Sequence, residues 1–275
     1  MIAIHRQIKP FARSLVLKLP KPLSEPFFRW THRRHIRHLL EQTGVARIQR
    51  WFVDHHPLCV HKGPFRGMQY IGSSAGSTLV PKLVGCYEQE LHEALLESLS
   101  SSPPVIIDIG CAEGYYAVGC ALKVPASRTL AFDIDPVARR STSELADLND
   151  VTDRVEIRSC CTIEVLKQAA IPGALVICDC EGGEWELLRP DIATSLSDAR
   201  IIVELHADDM EEAAREMSQR FDTTHECKRI AVTSRSIDLC GSVLHELSPE
   251  DKKIAISEMR RSDQLWLYLT PIQNG

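Results

Sequence analysis

The chain reads as an α/β protein built on a doubly wound sheet, and three observations lead there. Short β-branched runs alternate with helical stretches from Val105 onward, the rhythm of strand–helix–strand crossovers. The run Val105-Ile-Ile-Asp-Ile109 is apolar on both parities apart from Asp108, as a strand covered on both faces requires. It passes straight into Gly110-Cys-Ala-Glu-Gly114 and then an apolar helical stretch from Tyr115 to Leu122. A strand that turns through glycines into a helix leaves bare backbone facing a ligand.

The elements follow in order. Residues 1–85 read as an extension, helical and then hairpin-like, and residues 86–275 as the main domain. In the extension, Phe11, Leu15 and Leu19 fall at i, i+4, i+8 with Arg13 and Lys18 between them, the spacing of a short amphipathic helix. Trp30 to Leu40 is a second basic helical stretch. Between 51 and 85, Gly63-Pro-Phe-Arg-Gly67 and Gly72-Ser-Ser-Ala-Gly76 punctuate the chain as the turns of a small β-hairpin region do. A helix runs from Tyr87 to about Leu99 and is stopped by Ser100-Ser-Ser-Pro-Pro104. Beyond the first strand, Arg128–Phe132, Arg154–Arg158, Ala174–Cys178 and Ile201–Leu205 read as strands two to five. Asp135 before Pro136 caps the helix after strand two. A polar helix spans about Asp209 to Arg220. Phe221–Val232 and Gln264–Leu269 supply strands six and seven, with a helical insertion near Pro249–Met259 between them.

Composition sets the class. With 275 residues, 44% apolar and 25% charged, the chain has the make-up of an ordinary globular protein with a full core. The net charge of −5 conceals a basic arm: residues 1–50 carry eleven Lys and Arg against Glu25 and Glu41, so the remainder stands at −14. Such an arm suits an acidic partner or surface, and its aromatic and aliphatic neighbours (Phe27, Phe28, Trp30, Leu39, Leu40) admit peripheral contact with a membrane. Its Arg-rich, acid-poor composition also matches an organelle transit peptide. No apolar run reaches the ~18 residues that span a bilayer. The ten cysteines form no C-x-x-C pair, which argues against a zinc knot and for reduced thiols in a cytoplasmic protein. Nothing points to nucleic acid.

The chemistry collects at the carboxyl ends of the strands, where doubly wound sheets bind their ligands. These ends carry Asp108, Gly110, Glu113 and Gly114; Asp133; Cys160-Cys161-Thr162; Asp179 and Glu181; and Glu204 and His206. A dinucleotide fingerprint needs glycines at 112 and 115, where the chain has Ala112 and Tyr115. Glu113 inside the loop opposes a pyrophosphate and favours a cation, and S-adenosylmethionine offers a sulfonium and an ammonium. Asp133 lies 25 residues beyond Asp108, placed for the hydroxyls of a ribose. Asp179 and Glu181 share side-chain parity if their strand continues, so either can act as a general base, and with Glu204 or His206 they can hold a divalent ion. No two of these ligands have fixed helical spacing, so no metal is expected.

Asp108-Ile-Gly-Cys-Ala-Glu-Gly114 with Ala131-Phe-Asp133-Ile-Asp-Pro136 resembles the first two motifs of class I S-adenosylmethionine-dependent methyltransferases. Cys178-Asp-Cys-Glu-Gly-Gly-Glu184-Trp-Glu-Leu-Leu188 and Ile202-Val-Glu204-Leu-His206 are similar to the fourth and fifth strand ends of the FkbM-like branch. The resemblance covers about Tyr87 to Leu205 and implies a Rossmann-like, seven-stranded sheet. It also implies S-adenosyl-L-methionine as cofactor, held by Asp108, Gly110, Cys111, Ala112, Glu113, Gly114, Tyr115, Asp133, Ile134, Cys161 and Asp179. Many relatives have an acid where this chain has Cys160-Cys161-Thr162. Asp179, Glu181 and His206 are the expected catalytic residues, and the acceptor implied is a hydroxyl of a small molecule or glycan. An N-methyltransferase and a cofactor-binding partner subunit without catalysis are the alternatives.

Overall fold

The structure is a computed structural model and describes residues 39–237 and 243–272. The amphipathic stretches expected in the basic arm lie almost wholly outside the described residues. Two compact units divide the chain, Met1–Asp54 and His55–Gly275. The segment 55–85, read from the sequence with the extension, therefore belongs to the same unit as the sheet. In the first unit the helix α1 (Val45–His55, its last residue crossing the boundary) buries Val45, Ile48 and Phe52, spaced as one helical stripe.

In the second unit a seven-stranded sheet runs in the order β3-β2-β1-β4-β5-β7-β6. Its strands are β1 (Val105–Ile109), β2 (Arg128–Phe132), β3 (Val155–Arg158), β4 (Leu175–Cys178), β5 (Arg200–Leu205), β6 (His225–Ala231) and β7 (Leu265–Pro271). The first five pair in parallel; β7 enters antiparallel between β5 and β6. All seven expected strands form. The largest shift is at β6, where Phe221 instead ends the preceding helix.

The helices are α2 (Leu79–Val84), α3 (His92–Ser100), α4 (Tyr115–Lys123), α5 (Pro136–Leu148), α6 (Ile163–Ala169), α7 (Glu184–Leu187), α8 (Met210–Phe221) and α9 (Pro249–Ala255). Local chemistry explains their starts. The carboxylate of Asp135 accepts from Val137 N at 2.9 Å with Pro136 at the first helical position, Thr162 accepts from Val165 N, Asp209 from Glu212 N, and Ser248 from Asp251 N. On one sheet face Ile107, Ile109, Val176, Cys178, Ile201 and Val203 pack with Leu166, Met217 and Phe221 of α6 and α8. The opposite parity, Asp108, Ile177 and Ile202 among it, is covered on the other side, where Ser98 of α3 bonds Tyr268 of β7 at 3.1 Å.

The hairpin expected before α2 is reduced to one antiparallel bridge, Cys59 with Gln69, flanked by Val60 N–Met68 O and Tyr70 N–Leu58 O bonds. Gly63-Pro64 and Gly67 bend the chain before a longer ladder can form. This segment is tied to the sheet domain through side chains instead. Asn149, just past α5, exchanges two hydrogen bonds with the Gln69 backbone, at 2.9 and 2.8 Å.

Candidate active site

The sheet register builds the site. Ile109 is opposite Cys178, and Cys178 opposite Val203, so one step further Gly110, Asp179 and Glu204 form a row across the carboxyl ends of β1, β4 and β5. Gly110 has φ +87°, and a Cβ there would meet the Asp179 carbonyl oxygen at 1.6 Å, so only glycine lets the chain turn at this point. Gly114 starts α4 at φ +95° with its bare Cα against Thr142 of α5. Thr142 Oγ1 also donates to the Ala112 carbonyl at 2.9 Å, bracing the loop from outside it.

Asp133 holds the loop from the β2 side. Its Oδ2 accepts from Ala112 N at 2.9 Å and its Oδ1 from Asp135 N at 2.7 Å. Each oxygen keeps a second lone pair, and the carboxylate is half-buried, so two hydroxyls of a ligand can still be accepted. Ile134 beside it is 76% exposed, a bare apolar surface at the strand end suited to the flat face of a base. Across the site Cys161 is buried, and burial pushes its thiol up to about 12, so it offers an apolar wall rather than a thiolate. Neighbouring Thr162 is the cap of α6.

Asp108 is 3% exposed and its Oδ2 has no partner. Burial, opposed by the Ala117 backbone and reinforced by the charge of Asp179, raises its carboxyl to about 8. Glu88, fully buried before α3, is raised by burial to about 7, and Glu204, by burial and then Asp179, to about 11. Among the described residues one cation answers this group. The guanidinium of Arg260, from the connection between α9 and β7, bonds Glu204 at 3.2 Å, the Tyr87 hydroxyl at 2.7 Å and Glu88, and lies 3.3 Å from Glu258. The Tyr116 hydroxyl donates to the other oxygen of Glu88.

The turn after β4 brings the expected catalytic residues together by a route that strand parity did not foresee. The strand stops at Cys178, and Glu181 takes a left-handed φ of +55° in the turn before α7. Asp179 Oδ1 and Glu181 Oε2 both end 3.7 Å from His206 Nε2. Glu184, fully buried, accepts from the His206 backbone N–H at 2.9 Å and lies 3.2 Å from its Nδ1, while its other oxygen accepts from Gly182 N. Trp185 is packing, its indole donating to the His206 carbonyl and stacked under Arg220. Asp179, Glu204 and His206 each offer a donor atom within 4.8 Å of the others, a set that can hold a divalent ion.

Two of the expected cofactor residues are committed elsewhere. Glu113 is 1% exposed and receives Lys82 at 2.5 Å, Tyr70 at 2.7 Å, Ser74 at 2.8 Å and Ala75 N at 3.0 Å. Burial would raise this carboxyl, but Lys82 outweighs it and holds it below the usual range. The charge expected to select a cation is thus neutralised inside the protein. Tyr115 is buried in a box of rings with Phe65, Tyr87 and Tyr116. Cys111 is likewise buried, its thiol 3.6 Å from Thr142, and lends the loop its backbone. Glu88 and Arg260 were missed by sequence reasoning. Tyr87-Glu-Gln-Glu read only as a helix start, and Arg260 reaches the site across 172 residues.

A family model for "Ribosomal protein L11 methyltransferase (PrmA)" matches residues 91–226, from α3 into β6. The match covers just under half of the chain. Curated ribosomal protein L11 methyltransferases of Shigella sonnei and Escherichia coli are 39% identical over 62 residues, 22% of this chain. The chain spans about a fifth of the length of these relatives, 21%. Among solved structures, the O-methyltransferase from Bacillus cereus in complex with SAH aligns at TM-score 0.43 and 12% identity, over 66% of this chain and 80% of that one. The O-methyltransferase TomG from Streptomyces achromogenes, in complex with SAM, aligns at 0.44 and 14%, over 68% and 80%. Asp108, Gly110, Asp133, Asp179, Glu204 and His206 lie at the carboxyl ends of β1, β2, β4 and β5. None of the helices among the described residues is long and apolar enough to cross a membrane.

Proposed function

We propose that the protein is an S-adenosylmethionine-dependent methyltransferase. The supporting observation is the row Gly110, Asp179, Glu204 with the unpartnered Asp108 oxygen and Glu88 behind it. It is an acid-rich group at a glycine turn with, among the described residues, one arginine to balance it. A ligand carrying a sulfonium and an ammonium supplies the missing positive charge. In this reading the cofactor's methionine end crosses Gly110 toward Asp179, its ribose meets Asp133, and its base lies between Ile134 and Cys161. The cofactor supplies an activated methyl group. The chain's own residues position the acceptor, exclude water, and take the acceptor's proton at His206 Nε2 with Asp179 and Glu181 alongside.

The FkbM-like resemblance of the Cys178–Leu188 stretch supports a hydroxyl of a small molecule or glycan as acceptor. A second reading, methylation of a protein amine, is favoured by the match to the ribosomal protein L11 methyltransferase model. Incubation with labelled S-adenosylmethionine, once with a metabolite extract and once with a ribosomal protein fraction, separates the two. Label in a hydroxyl of a small molecule supports the first; label in protein supports the second. Absence of cofactor binding by calorimetry would overturn both. Repeating the incubation with EDTA tests the Asp179–Glu204–His206 set, since lost turnover restored by one divalent ion would make it a metal centre.

A further inference from the structure

We infer that Glu184 is a positioning residue that fixes the tautomer and orientation of His206, so that Nε2 faces Asp179 and Glu181 as a proton acceptor. This deepens the methyltransferase reading and rests on it only for the use made of Nε2.

Glu184 is the first residue of α7, yet its carboxylate turns back toward the strand ends and is fully buried. Its Oε1 meets both the backbone N–H and the ring Nδ1 of His206, at 2.9 and 3.2 Å. Its Oε2 accepts from Gly182 N at 2.9 Å and has the Cys180 thiol 3.8 Å away. A carboxylate only accepts, so Nδ1 must carry the proton, and the neutral ring keeps its lone pair on Nε2. Holding the backbone and the ring of one residue with a single oxygen fixes the rotamer as well. A carboxylate serving only the turn would need the Gly182 bond alone.

The charges facing the ring come from every side. Asp179 approaches from the end of β4, Glu181 from the turn and Glu184 from α7, and Glu204 of β5 has a carboxylate oxygen within 4.8 Å of a ring nitrogen. Burial pulls the imidazole down, but the Glu184 hydrogen bond and the charges of Asp179, Glu184 and Glu181 outweigh it and hold the ring above its ordinary value. For Glu184 burial acts upward, and the bonds from His206 outweigh it and keep the carboxylate ionised. The pair is thus a base with its orienting anion, the same division of labour as in any acid–histidine couple that activates a nucleophile.

The test is long-range 1H–15N NMR of the His206 ring in the whole protein, read through a pH titration, with His206→Gln to assign the signals. In the unsubstituted protein the neutral ring is expected as the Nδ1–H tautomer. In Glu184→Gln, which loses the charge, and in Glu184→Asp, which shortens the arm, the Nδ1–H preference is expected to be lost. Affinity for S-adenosylmethionine should stay within about twofold in both variants, because Glu184 touches none of the loop or Asp133 contacts. A neutral Nε2–H ring in the unsubstituted protein overturns the inference without any variant having to fold. An unchanged tautomer in both Glu184→Gln and Glu184→Asp overturns it equally. Loss of cofactor binding with the NMR signature intact would instead count against the methyltransferase reading.

Discussion

Asp133 and Asp179 have different neighbours, and their substitutions should fail differently. Asp133 already accepts two backbone N–H groups and offers its remaining lone pairs to a ribose. Asp133→Ala should weaken S-adenosylmethionine binding by ~1.5–3 kcal/mol, the scale of a hydrogen bond to a charged group, read by calorimetry. Unchanged affinity would remove the ribose assignment. Asp179 instead stands between His206 and Glu204. Asp179→Asn should leave binding nearly intact and slow methyl transfer by ~10²-fold or more, within the range of proton-transfer catalysis. Equal turnover in this variant and in the original would release Asp179 from the transfer step. At this scale the backbone also carries cost. Glu88, Ala112 and Glu181 are non-glycine residues with φ of +47°, +50° and +55°, and all three border the site. Such conformations persist where the surroundings overdetermine them, as the bonds around Ala112 do.

At the level of elements, the glycine loop is locked to α2 through the buried Lys82–Glu113 pair, and to the irregular segment before α2 through Tyr70, Ser74 and Ala75. Removing one partner strands a buried charge, so Lys82→Met should destabilise the protein by ~3–5 kcal/mol in urea unfolding. The double variant Lys82→Met with Glu113→Gln should recover much of that loss, because neither charge is then left alone. A single variant as stable as the original would mean that the pair is not buried in solution. The strands and most helices were legible in the sequence because each is written locally. Val105–Ile109 is doubly apolar, Asp135 and Pro136 announce a helix start, and Gly110 marks the turn. The site was only half legible, for the opposite reason. Asp133, Asp179 and His206 sit at strand ends that the pattern locates, whereas Glu113, a loop residue like its neighbours, is claimed by Lys82 of the short helix α2, which the hairpin reading of 51–85 did not contain, and by Tyr70 from the irregular segment before it. The irregular backbone at Cys180–Gly183 likewise hid how Glu181 reaches His206.

Across the whole molecule, the buried acids make stability and cofactor binding depend on pH in opposite senses. Glu88 and Asp108 have folded-state values of about 7 and about 8, raised above their unfolded values. Their contribution is present below the ordinary carboxylate range and is lost as pH rises through 7 to 8. Glu113 and Glu184 are lowered, so theirs is lost only in acid. The ligand-free protein should therefore lose melting temperature progressively from the ordinary carboxylate range, about pH 4, up to pH 7 to 8, with Glu204, raised to about 11, continuing the loss beyond. Affinity for S-adenosylmethionine should meanwhile rise with pH as protons leave. Calorimetry in buffers of different ionisation enthalpy should detect that proton release; none would mean that neither acid faces the cofactor. The strand order also fixes when these acids find their counter-charge. Glu88 and Glu204 emerge from the ribosome well before Arg260, which arrives with the connection to β7, the strand that must thread between β5 and β6. Until β7 docks, a nascent chain holds a finished parallel half-sheet with Glu88 and Glu204 without Arg260 and the flank of β5 unpaired. The site therefore becomes competent only when translation has delivered Arg260 and β7.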